Sequence, residues 1–524
     1  MSQFPAVSRR GLIGGAAALA AMRALPAWAA PADTPFTLGV ASGDPTADGF
    51  VIWTRLAPQP LAMDGQGGLS GAIPVKWAVG ADEGMRQIVA SGVVQADDRF
   101  AHSVHVEPGG LEEGRPYWYR FEAMGAQSPI GRTLTLPNAR SNARQLRFAF
   151  ASCSHWELGY FSAYRHMAAE NPDLVFFLGD YIYEYSNGPE RADKVVRPHD
   201  RPGEISDLSG YRNRYALHHT DPDLQALHAG SPTVATWDDH EVENDYANKW
   251  SEHPETDPAA FLLRRAAAYQ AFYEHMPLRK SSLPQGPDMR VYRRIRVGRL
   301  AEFTVLDGRQ YRTIQPCPIP GWRGGHVADP ACPDRAAPDR TMLGAAQEKW
   351  LHDGFRDADT QWNVVAQDLL IASFQQKDAK TGVPGHWTDG WDGYTATRDR
   401  MLKAVDHSKV RNPVFIGGDI HSFWANDLKA DFDDPKSRTV ATEFVGTSVT
   451  SDGPDYAAFA AMLPQNPHVK FFDSRPRGYV SVDIDQKHME TRFQAISDRR
   501  DPQATVSTLA TFVVEEGQPG ALMA

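Results

Sequence analysis

The chain has 524 residues, which is too many for one ordinary domain and suits two or three. Asp and Glu (65) outnumber Lys and Arg (54), the formal net charge is −11, and no basic tract stands out, which argues against specific nucleic-acid binding. Because the chain is acidic, a phosphate ligand would need local positive charge from metal ions or arginine.

Residues 1–29 are predicted to be an export signal. A twin arginine, Arg9-Arg10, precedes a mildly apolar stretch at 14–21, and Ala27-Trp28-Ala29 offers a cleavage site. This pattern is typical of a Tat signal, so we expect contact with the Tat translocon and a periplasmic or secreted protein. The apolar stretch is too short and too weakly hydrophobic for a stable membrane span.

Residues 30–140 are predicted to form a small all-β domain of the immunoglobulin or fibronectin type. Short β-like segments recur at the spacing of a β-sandwich, separated by turns rich in Gly, Pro and Asp. They lie at 36–40, 49–55, 75–79, 102–106 and 117–121. Nothing in this region looks catalytic, and 137–145 is a polar linker.

Residues 145–505 are predicted to form a second, catalytic domain of the α/β class. Apolar strands alternate with helices at first, and the second half is richer in strands, which indicates a layered α/β sandwich. Residues 506–524 show no informative pattern and are interpreted as a C-terminal tail.

Four predicted strands of the second domain are each followed directly by residue types that can bind metals. The residues are Cys153, Asp180 with Tyr183, Asp238-Asp239-His240 with Asn244, and Asp419 with His421. A single Asp after a strand is usually a helix cap or a turn residue, but four such ends in one domain are uncommon. Carboxyl ends of strands converge at one edge of a sheet, so the sequence predicts two metal positions joined by a bridging carboxylate.

The residue types indicate which metals these positions would hold. A Cys thiolate and a Tyr phenolate bind only when deprotonated, which favours Fe(3+). Asn and carboxylate oxygens without a thiolate suit Ca, Mg or Mn. Other chemistries fit poorly, since the chain has no phosphate-binding G-x-x-x-x-G-K loop and no second His to complete H-E-x-x-H.

The three cysteines divide into a pair and a single residue. Cys317 and Cys332 lie in a loop rich in Pro and Gly, where a disulfide would close about fifteen residues and stabilise by roughly 3 kcal/mol. Two free thiols are the alternative. Cys153 is then left unpaired, as a metal ligand would be.

Four motifs, in order along the chain, resemble those of the PhoD-type alkaline phosphatases, a branch of the calcineurin-like metallophosphatases. They are Ala-Ser-Cys153, Leu-Gly-Asp180-Tyr-Ile-Tyr183-Glu, Asp-Asp239-His240-Glu-Val-Glu-Asn244-Asp and Gly-Gly-Asp419-Ile-His421-Ser. The resemblance covers about residues 36–500. It implies an αββα metallophosphatase sandwich preceded by the family's small β domain.

The resemblance also implies a role for each residue. It places Cys153, Asp180, Tyr183 and His421 on Fe(3+), with Asp180 bridging to Ca(2+), and Asp419 and Asn244 on the calcium side. His240 would contact the phosphate as a catalytic residue beside Asp180. The residue before His240 is Asp239, where related phosphatases have Asn, so whether Asp239 or Asn244 binds the metal stays open. Gly308 replaces the Thr of the family's usual Asp-Thr-Arg.

The predicted function is hydrolysis of small phosphate esters, monoesters and also diesters, by a metal-activated hydroxide. Asp180 would fix the metal spacing, and His240 would steady the transition state or protonate the leaving group. Arg309, Arg398 and Arg400 are candidate phosphate clamps, with structural ion pairs as the alternative. Two other functions remain: a phosphodiesterase or phospholipase D-like enzyme using the same site, and a non-enzymatic exported binding protein.

Overall fold

The computed structural model describes residues 34–329, 332–408, 410–434 and 436–524. The predicted export signal, 1–29, lies outside this part of the chain. Within it, no helix has the length and apolar character needed to cross a membrane.

The N-terminal region consists of eight short strands. They are β1 (Val40–Gly43), β2 (Val51–Arg55), β3 (Ile73–Gly80), β4 (Ile88–Ala96), β5 (Ser103–Val106), β6 (Pro116–Ala123), β7 (Ala126–Gln127) and β8 (Gly131–Leu134). Strands β3, β4, β6, β7 and β8 pair into one antiparallel sheet. Apolar side chains of this sheet pack against those of β1, β2 and β5, which gives the predicted sandwich core.

The rest of the chain alternates strands and helices and then becomes rich in strands. The helices are α1 (Ser162–Ala169), α2 (Leu208–His219), α3 (Pro222–Gly230), α4 (Pro258–His275), α5 (Gly344–Asp357), α6 (Thr395–His407) and α7 (Tyr456–Ala460). The strands are β9 (Gln145–Ala151), β10 (Leu174–Leu178), β11 (Thr233–Thr236), β12 (Arg293–Val297), β13 (Ala301–Val305), β14 (Val327–Ala328), β15 (Trp362–Ala366), β16 (Gln376–Lys377), β17 (Pro384–Trp387), β18 (Pro413–Gly417), β19 (Phe423–Lys429), β20 (Thr439–Val445), β21 (Val469–Asp473), β22 (Arg477–Asp485), β23 (His488–Ile496), β24 (Val506–Glu515) and β25 (Gln518–Met523).

Two large sheets lie face to face at the centre of the molecule. One has ten strands in the order β25-β24-β23-β22-β9-β10-β11-β1-β2-β5, and the other has seven in the order β12-β13-β15-β18-β20-β19-β21. A small third sheet, β14-β17-β16, lies beyond them. The second domain, whose second half is β-rich as predicted, therefore contains two large sheets.

Side-chain alternation along the strands explains the layers. In β9 and β10, Phe148, Phe150 and Phe176 point into the core between the sheets. Their neighbours Ala149 and Phe177 point the other way, into a core shared with α1–α4. Helices α5 and α6 cover the outer face of the seven-stranded sheet in the same way. The predicted αββα sandwich is confirmed.

Three of the N-terminal strands, β1, β2 and β5, are part of the ten-stranded sheet, which the predicted boundary near residue 140 did not anticipate. Strand β1 pairs in parallel with β11, with Gly43 opposite Thr233, and β2 and β5 continue the sheet outward. A Cβ at Gly43 would lie 2.5 Å from the backbone oxygen of Pro277, so glycine permits this close approach. One face of the sandwich is therefore built from an extension of the larger domain's sheet.

The interpretation of 506–524 as a tail is wrong. Strand β24 pairs antiparallel with β23, and β25 pairs with β24, so these residues complete one edge of the ten-stranded sheet. Phe512 and Val514 are buried in the core between the sheets. The pattern escaped the sequence analysis because several of the remaining side chains in β24 are exposed or half-buried.

The cysteine predictions hold. Cys317 and Cys332 form a disulfide across a sequence separation of 15, and Cys153 is free and buried.

The packing of β24 leads to a stability prediction. We expect Phe512→Ala to lower the free energy of unfolding by about 3–5 kcal/mol, because the ring is fully buried against Phe493 and Phe471. Leu522→Ala is the matched control on β25, where the side chain is 58% exposed, and should change it by less than about 0.5 kcal/mol. Denaturant unfolding measures both. Equal stability of the two variants would show that 506–524 is dispensable.

Candidate metal centre

The candidate ligands follow strand ends at which the backbone turns sharply. Cys153, Asp180 and Asp419 each come two residues after the end of β9, β10 and β18, with φ angles of 61°, 51° and 63°. His421 has a φ of 54°. Left-handed backbone at a non-glycine residue costs on the order of 1–3 kcal/mol, and such residues cluster at functional sites. Four of the seven predicted metal ligands therefore lie on strained turns.

These strand ends belong to two sheets, which corrects the prediction of one sheet edge. Cys153, Asp180 and Asp239 follow strands of the ten-stranded sheet, whereas Asp419 follows β18 of the seven-stranded sheet. The segment after β20 joins the sheets, since the Val449 N–H donates to the Ser152 carbonyl at 3.0 Å. The site therefore lies where the two sheets meet.

A first cluster contains four of the predicted ligands. Ligand atoms of Cys153, Asp180 and His421 all lie within 4.8 Å of one another. The Tyr183 hydroxyl donates to Asp180 Oδ2 at 2.9 Å and lies 3.1 Å from His421 Nε2. Ser451 Oγ, which the sequence analysis did not single out, donates to the same hydroxyl at 2.6 Å. The structure thus brings together the residues predicted for one metal.

A second cluster shares Asp180 with the first. Ligand atoms of Asp180, Asp239 and His240 also lie within 4.8 Å of one another. Asp239 forms a further group with Asp245 and Asp389, two acids that the sequence analysis missed. Asp245 lies in the turn that follows Asn244, and Asp389 follows the short strand β17, which the sequence analysis did not predict. One carboxylate common to both clusters is the arrangement expected of a bridging ligand.

Asp239 and Asn244, the two alternatives for one ligand, are placed differently. Asp239 Oδ1 is buried without a hydrogen-bond partner. The Asn244 side-chain amide donates to Glu252 Oε2 at 2.6 Å, and its backbone N–H donates to Glu184 Oε1 at 2.8 Å. Neither of these two bonds uses Asn244 Oδ1, so Asp239 and Asn244 each keep an oxygen that could bind a metal.

Buried carboxylates crowd the site. Burial and then the nearby Asp239 carboxylate raise the pKa of Asp419, which reaches about 8 although Arg309 lowers it. Burial, with Asp239, Glu241 and Asp419 nearby, also raises the pKa of Asp180 well above its usual value. These carboxylates carry their full charge only when cations offset it.

Unpaired buried carboxylate oxygens indicate that this site fits metal ions. Around the site, buried oxygens of four acids lack any hydrogen-bond partner among the described residues: Asp180 Oδ1, Asp238 Oδ2, Asp239 Oδ1 and Asp368 Oδ2. Leaving buried polar atoms unpaired is costly, and bound cations would satisfy them. Thiol, phenol, imidazole and carboxylate in one cluster suit Fe(3+), and the carboxylate-rich neighbour suits a hard cation such as Ca(2+).

Both histidines of the site are oriented by a partner on Nδ1. His421 Nδ1 donates to the Asp452 carbonyl at 2.7 Å, which leaves Nε2 as the lone-pair atom facing Tyr183. His240 Nδ1 lies 2.7 Å from Glu184 Oε2. Burial disfavours the charged imidazole of His240, but Glu184 and other acids outweigh it and raise its pKa well above the usual value.

Asp452 is a positioning residue that the sequence analysis missed. Its carboxylate pairs with Arg191 at 2.9 Å, with Lys194 at 2.8 Å and with Arg499. A Cβ at the next residue, Gly453, would lie 2.7 Å from the His421 carbonyl oxygen. Three cationic side chains thus hold Asp452 in place, and the Asp452 carbonyl in turn orients His421.

The three candidate arginines form ion pairs. Arg309 is fully buried and contacts Asp389 at 2.8 Å and Asp239 at 3.6 Å. Arg398 pairs with Asp392 at 2.7 Å, and Arg400 pairs with Glu348. All three arginines therefore have acidic partners, and a phosphate contact by any of them stays a prediction.

Close packing against Asp368 explains why residue 308 is a glycine. A Cβ there would lie 2.5 Å from both carboxylate oxygens of Asp368, which lies beside Arg309. The side chain of Asp368 occupies the space that a larger residue at 308 would need.

Family models and individual known proteins match most of this chain. Residues 148–493 match the family model of the PhoD-like phosphatases, and 21–137 match the model of their N-terminal domain. Alkaline phosphatase D of Bacillus subtilis (strain 168) is 46% identical over 492 residues, which are 93% of this chain and 82% of that protein. A solved structure described as PhoD is 45% identical, covers 94% of this chain and 93% of its own, and superposes with a TM-score of 0.87.

The contact at Gly308 gives a testable prediction. Gly308→Ala should lower the free energy of unfolding by about 1–3 kcal/mol, because the added Cβ must displace Asp368 from a buried ion-pair network. Gly109→Ala is the control, since a Cβ at Gly109 meets no atom within 4 Å. Thermal or denaturant unfolding measures the difference, and an unchanged Gly308→Ala protein would refute this packing explanation.

Proposed function

The chain belongs to the PhoD-like phosphatase family and is a phosphatase, and from this premise we propose an exported, metal-dependent alkaline phosphatase acting through the clusters around Asp180. The single observation that carries the proposal is the sharing of Asp180 by two groups of ligand atoms. The alternative of a non-enzymatic binding protein is wrong, because the family is one of enzymes.

We assign the ligands by the chemistry of their atoms. Cys153, Asp180, Tyr183 and His421 would hold Fe(3+), because this set joins a thiolate and a phenolate to an imidazole and a carboxylate. Asp180, Asp239 and Asp419 would hold Ca(2+) through oxygen atoms, with Asn244 as the alternative ligand. When bound, such ions polarise phosphoryl oxygens and lower the pKa of water toward 7.

Side chains near the ligand clusters would position the substrate and donate a proton to its leaving group. Because Nδ1 of His240 faces Glu184, Nε2 is the atom left for the phosphate ester. Glu184 supports a protonated imidazole there, which suits a group that stabilises the phosphoryl charge or protonates the leaving alkoxide. The Asp452 carbonyl keeps His421 in one tautomer, so the ligand set is preformed.

We propose phosphomonoesters as the first substrate class and phosphodiesters as the second, both cleaved in the same site. The closest alternative is a phosphodiesterase or phospholipase D-like enzyme. Parallel assays with a monoester and a diester that share one leaving alcohol separate these two readings.

Asp180→Asn tests the function and the metals together. We expect activity on both ester classes to fall by more than about 100-fold, because one substitution weakens both metal positions. Elemental analysis of the exported wild-type protein should find iron and calcium, and the variant should lose both. Asp357→Asn, on the surface of α5, is the control and should keep metals and activity. Unchanged activity of Asp180→Asn would refute the proposal, and zinc alone in the wild type would refute the metal assignment.

Export through the Tat pathway rests on the sequence of 1–29, with its twin arginine and its A-x-A site. Replacing Arg9 and Arg10 with lysine should keep the protein in the cytoplasm, as cell fractionation would show. Normal export of that variant would refute this part of the proposal.

A further inference from the structure

We propose that the cavity beside Asp419 and His421 receives the organic group of the phosphate ester and selects esters in which that group is uncharged and apolar, above all aromatic. This inference rests on the proposed phosphoesterase function. It goes further by naming the substrate class.

The cavity opens directly from the metal centre. It has a volume of about 410 Å³, and Asp419 and His421 form one end of its lining. The remaining wall is mostly apolar and contains Phe374, Trp387 and Phe459. A phosphoryl group held at the ligand cluster would therefore extend its organic substituent along aromatic side chains.

The inner wall is rigid. Phe374 is 2% exposed, stacks on Phe459 with 5.2 Å between ring centroids, and meets Trp424 edge-on at 4.9 Å. Its backbone N–H donates to Asp392 Oδ2 at 2.8 Å, and Asp392 pairs with Arg398 at 2.7 Å. A preformed apolar wall binds a ligand without the cost of ordering side chains.

The outer wall carries an exposed tryptophan. Trp387 ends β17 and is 39% exposed, which is unusual for so large an apolar side chain. A Cβ at Gly325 would lie 2.5 Å from its ring, so the ring packs closely on that backbone. The Gly325 N–H donates to Asp245 Oδ2 at 2.7 Å, which ties this wall to the acids around the metal centre. A planar apolar group can cover the remaining ring surface.

The charges around the cavity disfavour a second anion. The lining residues, all within the described part of the chain, include no Lys or Arg. Its carboxylates have other partners, since Asp392 pairs with Arg398 and Asp452 pairs with Arg191. An organic group with its own carboxylate or phosphate would lose water here without gaining a cation. Neutral esters should therefore be preferred over esters of anionic alcohols.

Three monoesters compared on the metal-loaded full-length enzyme test the inference: 2-phenylethyl phosphate, ethyl phosphate and carboxymethyl phosphate. For the wild type we expect kcat/KM to be about tenfold or more higher for the phenylethyl ester than for the ethyl ester, and lowest for the carboxymethyl ester. The phenylethyl and ethyl esters have similar alkoxide leaving groups, so the ratio reports binding in the cavity.

Trp387→Ala should lower kcat/KM for the phenylethyl ester more than for the ethyl ester and so remove most of that preference, and Trp387→Phe should restore part of it. Trp350→Ala, on α5 and outside the cavity lining, should keep the wild-type ratio. Equal loss on both neutral esters in Trp387→Ala, or a wild-type preference for the carboxymethyl ester, would overturn the inference. Failure of the wild type to hydrolyse any phosphate ester would instead overturn the phosphoesterase proposal, and this inference with it.

Discussion

Repulsion among buried carboxylates at the junction of the two sheets is the constraint on which the rest of the structure depends. Asp238, Asp239, Asp368 and Asp389 surround the buried guanidinium of Arg309, and the buried Arg312 also pairs with Asp389. Two guanidinium groups do not balance four acids, and Asp180 and Asp419 add two more nearby. The remaining charge has to be met by protons or by cations, and unpaired oxygens on several of these acids favour cations.

The fold supplies the rigidity that such crowding requires. Aromatic packing between the sheets, as between Phe148 and Phe303 at 5.1 Å, fixes the strands that end at the site. Backbone hydrogen bonds from the segment after β20 then hold the two strand-end edges together. The strained turns at Cys153 and Asp419 persist because the sheets on either side leave the backbone no alternative path.

Much of the site could be predicted from sequence because strand ends are local features. An apolar run followed by Asp180 or Cys153 is visible in a few residues, and family motifs supplied the rest. The division of these ends between two sheets depends on long-range pairing, such as β9 with β22 and β18 with β20, which has no local signal. Asp452 was missed for a related reason, since it acts on His421 through its backbone carbonyl, and any residue type has one.

The ligand cluster and the cavity wall are built from different segments of the chain. The ten-stranded sheet supplies Cys153, Asp180 and Asp239, whereas the cavity wall comes from segments after β15, β17 and β20. The wall is held by its own ion pair, Asp392 with Arg398, which lies apart from Arg309. Trp387 is uncharged, so a substitution by another uncharged residue leaves the number of charges in the ligand cluster unaltered. Substrate preference is thus free to vary on a metal centre that the fold keeps constant.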